Sequence, residues 1–157
     1  MKISDRVAIT ISSFFYIGYL PLVPGTFGSL AGLGLIYILR NNSPSVYLTT
    51  GLAITLLGFL VSGKAEKALG KKDCRYIVID EVAGMFLSLA FLPCGGPQVF
   101  IAGFILFRLL DTFKPYPAGS FEKMPGSSGI MSDDLVAGAY TNIILQVVLR
   151  LASCSAS

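Results

Sequence analysis

Gly63-Lys64-Ala65-Glu66-Lys67-Ala68-Leu69-Gly70-Lys71-Lys72-Asp73-Cys74-Arg75 stands between two apolar runs, residues 46–62 and 76–93. Its Lys64, Lys67, Lys71, Lys72 and Arg75 contrast with the turns at 41–45 and 93–97, which hold no basic residue. In a membrane protein, short basic loops stay on the cytoplasmic side. The stretch therefore predicts an all-α fold in which apolar helices run back and forth through a bilayer. Residues 1–25, 63–80 and 112–134 then face the cytoplasm, and the turns at 41–45 and 93–97 face outside. The apolar segments 26–39, 46–62, 76–93, 97–112 and 135–152 are the expected helices. They pair as two hairpins and a last helix that ends outside.

The charge pattern supports this folding. All nine acids, and ten of the twelve basic residues, fall within 1–25, 63–81 and 108–134, leaving out only Arg40 and Arg150. Folding the chain at each apolar run gathers nearly all its charge at one surface. Hydrophobic residues make up 54% of the 157 positions and charged residues 13%, where roughly 25% charged is usual for a soluble domain. One small polytopic helical bundle over residues 1–157, with its charged site at the cytoplasmic face, is the expectation. Residues 7–23 read as a re-entrant or interfacial segment that is retained.

Composition also excludes classes of function. A net charge of +3 without a basic run interleaved with aromatics does not suit nucleic acid. Cys74, Cys94 and Cys154 have no metal or disulfide spacing. With no histidine, no imidazole base, nucleophile or ligand exists. No Cys-x5-Arg loop and no Asp-x-Asp pair is present either. Any phosphoryl chemistry must then run through metal-activated water.

Four groups could carry such chemistry. Asp80-Glu81 follows the apolar run 76–79; adjacent helical carboxylates can border one cavity, and magnesium takes hard oxygen ligands of this kind. The competing account is an acid pair favouring a helix N-terminus. Arg108, Asp111 and Lys114 recur every three residues before Pro115, so they share a helical face. That face offers a clamp for phosphate with an acid between for metal, or a self-neutralised interfacial stripe. Ser132-Asp133-Asp134 precedes the last apolar helix and fits an N-cap with acids in the first turn. Pro24-Gly25-Thr26-Phe27-Gly28-Ser29 opens a helix with small residues, as a turn and cap or as a phosphate site.

Taken together, Pro24-Gly25-Thr26, Asp80-Glu81, Arg108/Asp111/Lys114/Pro115 and Gly129-Ile130-Met131/Asp133-Asp134/Ala137-Gly138 resemble the motifs of the phosphatidylglycerophosphatase A family, in order and spacing over residues 18–142. Phe113 and Tyr116 stand where that family often has Trp. The resemblance implies a Mg2+-dependent phosphatase of bacterial inner membranes, acting on phosphatidylglycerophosphate among membrane lipids. It implies Asp80, Asp111, Asp134 and Lys114 as catalytic groups, with Gly25, Thr26, Arg108 and Lys114 on the substrate phosphate. Asp80, Glu81, Asp111, Asp133 and Asp134 would ligate the metal. Two other readings use the same groups differently: a phosphotransferase acting on lipid alcohols, separated by its phosphodiester product, and a small ion transporter. The second predicts acids spread through the membrane depth rather than clustered at one end.

Overall fold

A computed structural model describes residues 2–72, 74–92 and 96–155. Asp73 and Pro93-Cys94-Gly95, which the sequence places in a basic loop and an outer turn, lie outside the described residues. The described chain is helical: α1 (Ile3–Ser12), a 3-10 turn (Ile17–Tyr19), α2 (Pro24–Leu39), α3 (Pro44–Leu69), α4 (Ile79–Ser88), α5 (Pro97–Phe113), α6 (Ala118–Phe121) and α7 (Ser127–Ser155). The all-α expectation holds, and several boundaries move.

Proline opens three of these helices. Pro24, Pro44 and Pro97 each sit in the first turn, where a missing N–H costs nothing. Because α2 starts at Pro24, Thr26 lies inside the first turn instead of capping it. α3 runs through Gly63 to Leu69, since Lys, Ala, Glu and Leu are good helix formers. It stops at Gly70, which takes the left-handed conformation at φ 65°. α7 starts at Ser127, eight residues before the apolar run, so Ser132 does not cap it and Asp133-Asp134 lie beyond its first turn. The Ser127 hydroxyl instead accepts a 2.8 Å bond from the Gly63 N–H of α3.

The largest departure is α4. The run 76–93 reads as a full span, yet only Ile79–Ser88 is helical, about 15 Å of helix. α4 is the centre of the molecule, packed against α7, α2, α3 and α5. Its start is tied down by the Val78 N–H, which donates to the Ser12 carbonyl at 2.9 Å. Its end is satisfied by neighbours: Tyr47 Oη donates to the Phe86 carbonyl at 2.6 Å. Asn142 Nδ2 donates to the carbonyls of Ser88 at 3.2 Å and Ala90 at 2.7 Å. A helix can end deep in an apolar bundle only if its last carbonyls find such partners. Apolar composition alone does not separate this buried half-length helix from a span.

Among the described residues, two helices are long and apolar enough to cross a membrane, Pro44–Leu69 and Ser127–Ala152. Both expose much of their apolar surface; Leu52, Leu60, Ile143, Val147 and Leu151 are all more than half exposed. The 16 residues of α2 and 17 of α5 give shorter rods. The hairpin expected from 76–93 and 97–112 is therefore not a pair of full spans.

The core is built on close helix contacts. Gly84 of α4 and Gly138 of α7 touch: a Cβ on Gly138 would come within 2.5 Å of the Gly84 carbonyl oxygen. Only glycine permits this approach at either position. Phe107 fills the adjoining space and is fully buried with Met85, Val82 and Met131.

Candidate active site

The glycine contact sets the spacing of the acids. Asp80 precedes Gly84 by four residues and Asp134 precedes Gly138 by four, which is about one helical turn on each chain. Two backbones pressed together at the glycines bring those carboxylates side by side one turn up. Glu81 joins them: carboxylate oxygens of Asp80, Glu81 and Asp134 lie within 4.8 Å of one another. Asp134 is buried, and the other two are partly so.

α5 delivers the next layer. Arg108 Nη1 donates to Asp111 Oδ2 at 2.8 Å and to Ser29 Oγ at 3.4 Å. Ser29 Oγ in turn donates to the Gly25 carbonyl at 3.0 Å. Asp111 also lies close to the Asp134 carboxyl. α5 ends at Phe113, and Lys114 takes φ 45°, which swings the chain away before Pro115. Lys114 Nζ then bonds Asp133 Oδ2 at 2.7 Å and Glu122 Oε1 at 2.9 Å.

α2 closes the site from its N-terminus. A Cβ on Gly25 would collide with Glu81 Oε1 and lie 3.5 Å from Arg108 Nη1, so glycine is what lets this backbone reach the acids. Among the described residues, neither the Gly25 nor the Thr26 N–H has a hydrogen-bond partner. Both stand at the positive end of a 16-residue helix.

The structure thus brings Asp80, Glu81 and Asp134 into one group. Asp111 flanks it through Arg108 and Asp134, while Asp133 turns to Lys114. Gly25, Thr26, Arg108 and Lys114 surround the same end. Ser29 and Glu122 are partners that the motifs did not assign. Glu122 had one signal, being an acid in the charged stretch 108–134; Ser29 had one as the last residue of the small-residue helix start, without a role of its own.

The electrostatics mark a place short of positive charge. Burial, then the Glu81 charge, pushes the Asp80 carboxyl well above its ordinary value. Burial also raises Glu81; its bond with Asp80 opposes that, Asp111 adds to it, and Arg108 opposes it again. Partial burial lowers the Lys114 pKa, but the bonds to Asp133 and Glu122 outweigh it, and the net shift is upward. Glu81 Oε2 and Asp133 Oδ1 are buried with no hydrogen-bond partner. Crowded carboxylates with an orphaned oxygen call for a proton or a cation. Oxygens on opposite sides of an octahedral Mg2+ lie about 4 Å apart, so a group spanning 4.8 Å fits a hard divalent ion with little movement.

A family model for phosphatidylglycerophosphatase A matches residues 10–149. Phosphatidylglycerophosphatase A of Escherichia coli K12 is 36% identical over 132 residues, covering 83% of this chain and 77% of that protein. The Haemophilus influenzae protein of the same name is 38% identical over 131 residues, 82% and 80% of the two chains. A Bacteroides thetaiotaomicron protein, named provisionally as a phosphatidylinositol-3-phosphatase, is 30% identical over 154 residues, 94% and 96% of the two. No solved structure matches the chain. The four motifs meet at one end of the bundle, and the family match spans the helices that bring them there: the chain belongs to the phosphatidylglycerophosphatase A family.

Proposed function

We propose that the protein hydrolyses phosphatidylglycerophosphate to phosphatidylglycerol and phosphate, using Mg2+ at the cytoplasmic face of a bacterial inner membrane. The names of the Escherichia coli and Haemophilus influenzae relatives supply the activity. The observation that carries the site is the meeting of Asp80, Glu81 and Asp134 where Gly25 clears space beside Glu81 and Arg108.

Asp80, Glu81 and Asp134 would hold the ion, with Glu81 Oε2 the oxygen still lacking a partner. Bound there, Mg2+ would polarise the phosphoryl group and make water a stronger nucleophile. The chain's own groups do the rest. Arg108, held by Asp111 and Ser29, presents guanidinium donors to the phosphoryl oxygens. The Gly25 and Thr26 N–H groups add uncharged donors at the positive end of α2. Lys114, steadied by Asp133 and Glu122, adds a charge that offsets what develops on the phosphoryl oxygens. Asp111 lies close to Asp134, and its carboxylate is placed to take the proton that the attacking water gives up. No histidine competes for that role.

Topology follows from charge and length. α3 and α7 cross the bilayer, and α4 reaches only part of the way from the charged end. Lys64, Lys67, Lys71, Lys72 and Arg75 cluster around the α3 C-terminus and favour the cytoplasmic side. A lipid in that leaflet presents its headgroup phosphate at the acids' level.

The decisive measurement is phosphate release from phosphatidylglycerophosphate by purified protein. EDTA abolishes it and Mg2+ restores it; full turnover in chelator would overturn the metal mechanism. A parallel assay on phosphatidylinositol phosphate tests the second substrate suggested by the Bacteroides relative. Single cysteines at Lys71 and Gly96, in a variant without native cysteines, should label from opposite sides. Labelling from one side would overturn the topology.

A further inference from the structure

An apolar groove of about 280 Å³ runs between α3 and α4, with no α5 residue in its lining. Its α4 wall is Ala83, Phe86 and Leu87, at three- and four-residue spacing on one face, and Ala90 in the turn after α4 extends it. The next residue up that stripe is Asp80. At the same upper end the groove is lined by Leu135, which follows Asp134. The groove thus begins directly beneath the acid group and descends along α4.

Its chemistry is hydrocarbon throughout. The two polar side chains on the α3 wall are already satisfied inside the protein. Tyr47 Oη donates to the Phe86 carbonyl at 2.6 Å, and Thr55 Oγ1 donates to the Gly51 carbonyl at 2.9 Å. Gly51 forms part of the floor, where a Cβ would lie 3.1 Å from the Phe86 ring. Leu52 and Leu87 flank the mouth and are 60% and 37% exposed, so the groove opens sideways to the surroundings of α3. No lining residue carries a charge.

We infer that this groove is the subsite for an acyl chain of the lipid substrate, entered laterally from the bilayer while the headgroup phosphate rests at Asp80, Glu81 and Asp134. The inference rests on the lipid-phosphatase reading above and adds where the tail lies. The direction agrees with that reading: a cytoplasmic-leaflet lipid has its phosphate at the interface and its chains toward the midplane, as the groove runs from Asp80 to Ala90. The site then recognises a phosphomonoester and hydrocarbon together, and water-soluble phosphomonoesters lose the second part.

Leu52→Trp, at a position exposed enough to accept the larger ring, should block the groove mouth. With a long-chain phosphatidylglycerophosphate the variant should show KM raised by about tenfold or more, as expected when several methylenes lose apolar contact. With the dihexanoyl analogue its kinetics should stay within about twofold of the parent, as for ordinary surface changes. Ile105→Trp, on α5 and likewise exposed, should leave both substrates unchanged. Equal effects of Leu52→Trp on the two substrates, or equal effects of the two variants, would overturn the subsite. A second measurement separates failure of the subsite from failure of the activity. A phospholipid with a diazirine at its acyl terminus, reconstituted with the protein and irradiated, should mark Leu52 and Leu87 well above Ile105. Even marking would mean ordinary bulk-lipid contact and would overturn the proposal, whether or not phosphate is released.

Discussion

α3 and α4 have similarly apolar sequences and opposite surroundings. α3 has 26 residues, of which only Ile54, Gly58, Ser62 and Ala65 are buried. α4 has 10 residues, and Ile79, Val82, Ala83, Gly84, Met85, Phe86 and Ser88 are all buried. The first turns hydrocarbon outward to lipid; the second turns it inward to protein. α3 ends in solvent with a left-handed glycine, as helices commonly do. α4 ends inside the bundle and depends on side chains of α3 and α7 for its carbonyls. A long helix gives the protein its place in the membrane. A short enclosed one carries Asp80 and Glu81, fixed by protein against the Asp134 that α7 brings.

The comparison breaks first at the acids. If the acids of α5 and α7 that face α4 are catalytic rather than merely packed, Asp134→Asn and Asp111→Asn should each lower the rate of phosphate release by two or more orders of magnitude, about 3 kcal/mol or more of transition-state stabilisation. The melting temperature of the Asp134 variant should hold or rise, because one of several repelling carboxylates is gone. Near-normal turnover would return these acids to a structural role. The next test is the glycine contact. Gly138→Leu drives a side chain into the Gly84 carbonyl and should cost about 1–3 kcal/mol in unfolding experiments, with activity falling further as the acids part. The buried end of α4 comes third. Asn142→Ala orphans the Ser88 and Ala90 carbonyls and should cost about 1–3 kcal/mol, read as a lower denaturation midpoint with the Mg2+ requirement unchanged. The smallest effect belongs to α3. Leu60→Ala removes a side chain that is 72% exposed and should change stability by less than about 0.5 kcal/mol. A large loss there would mean that α3 packs against something other than lipid.

Much of the site was legible in the sequence because its groups are charged in an otherwise apolar chain. Asp80-Glu81, Arg108, Asp111, Lys114 and Asp133-Asp134 stand out for that reason, and their spacing within each helix placed them on usable faces. What links them was not legible. Gly84 and Gly138 look like ordinary glycines until two backbones are seen to touch. Asn142 is one of a few polar residues in the last apolar run, with Thr141, Gln146 and Arg150, yet nothing in the sequence says that its partners lie 52 and 54 residues away. The extent of α4 was misread because 76–93 is apolar apart from Asp80, Glu81 and Ser88, and lipid and protein interiors select the same residues. The early start of α7 was hidden by Pro125-Gly126-Ser127-Ser128-Gly129, which reads as a turn although only Gly126, at φ 65°, takes the left-handed conformation.

The protein-bound ends of α4 also bear on membranes of different thickness. A bilayer that thins or thickens makes long helices tilt to match it. In the proposed orientation α3 and α7 feel that pull directly. α4 is largely shielded from it, since most of its residues are buried and its last carbonyls are engaged by protein. Tilting of the outer rods is then taken up at the lipid boundary, while the distance between Asp80 and Asp134 stays governed by the glycine contact one turn below. The catalytic spacing is insulated from the lipid composition that the enzyme's own product helps to set.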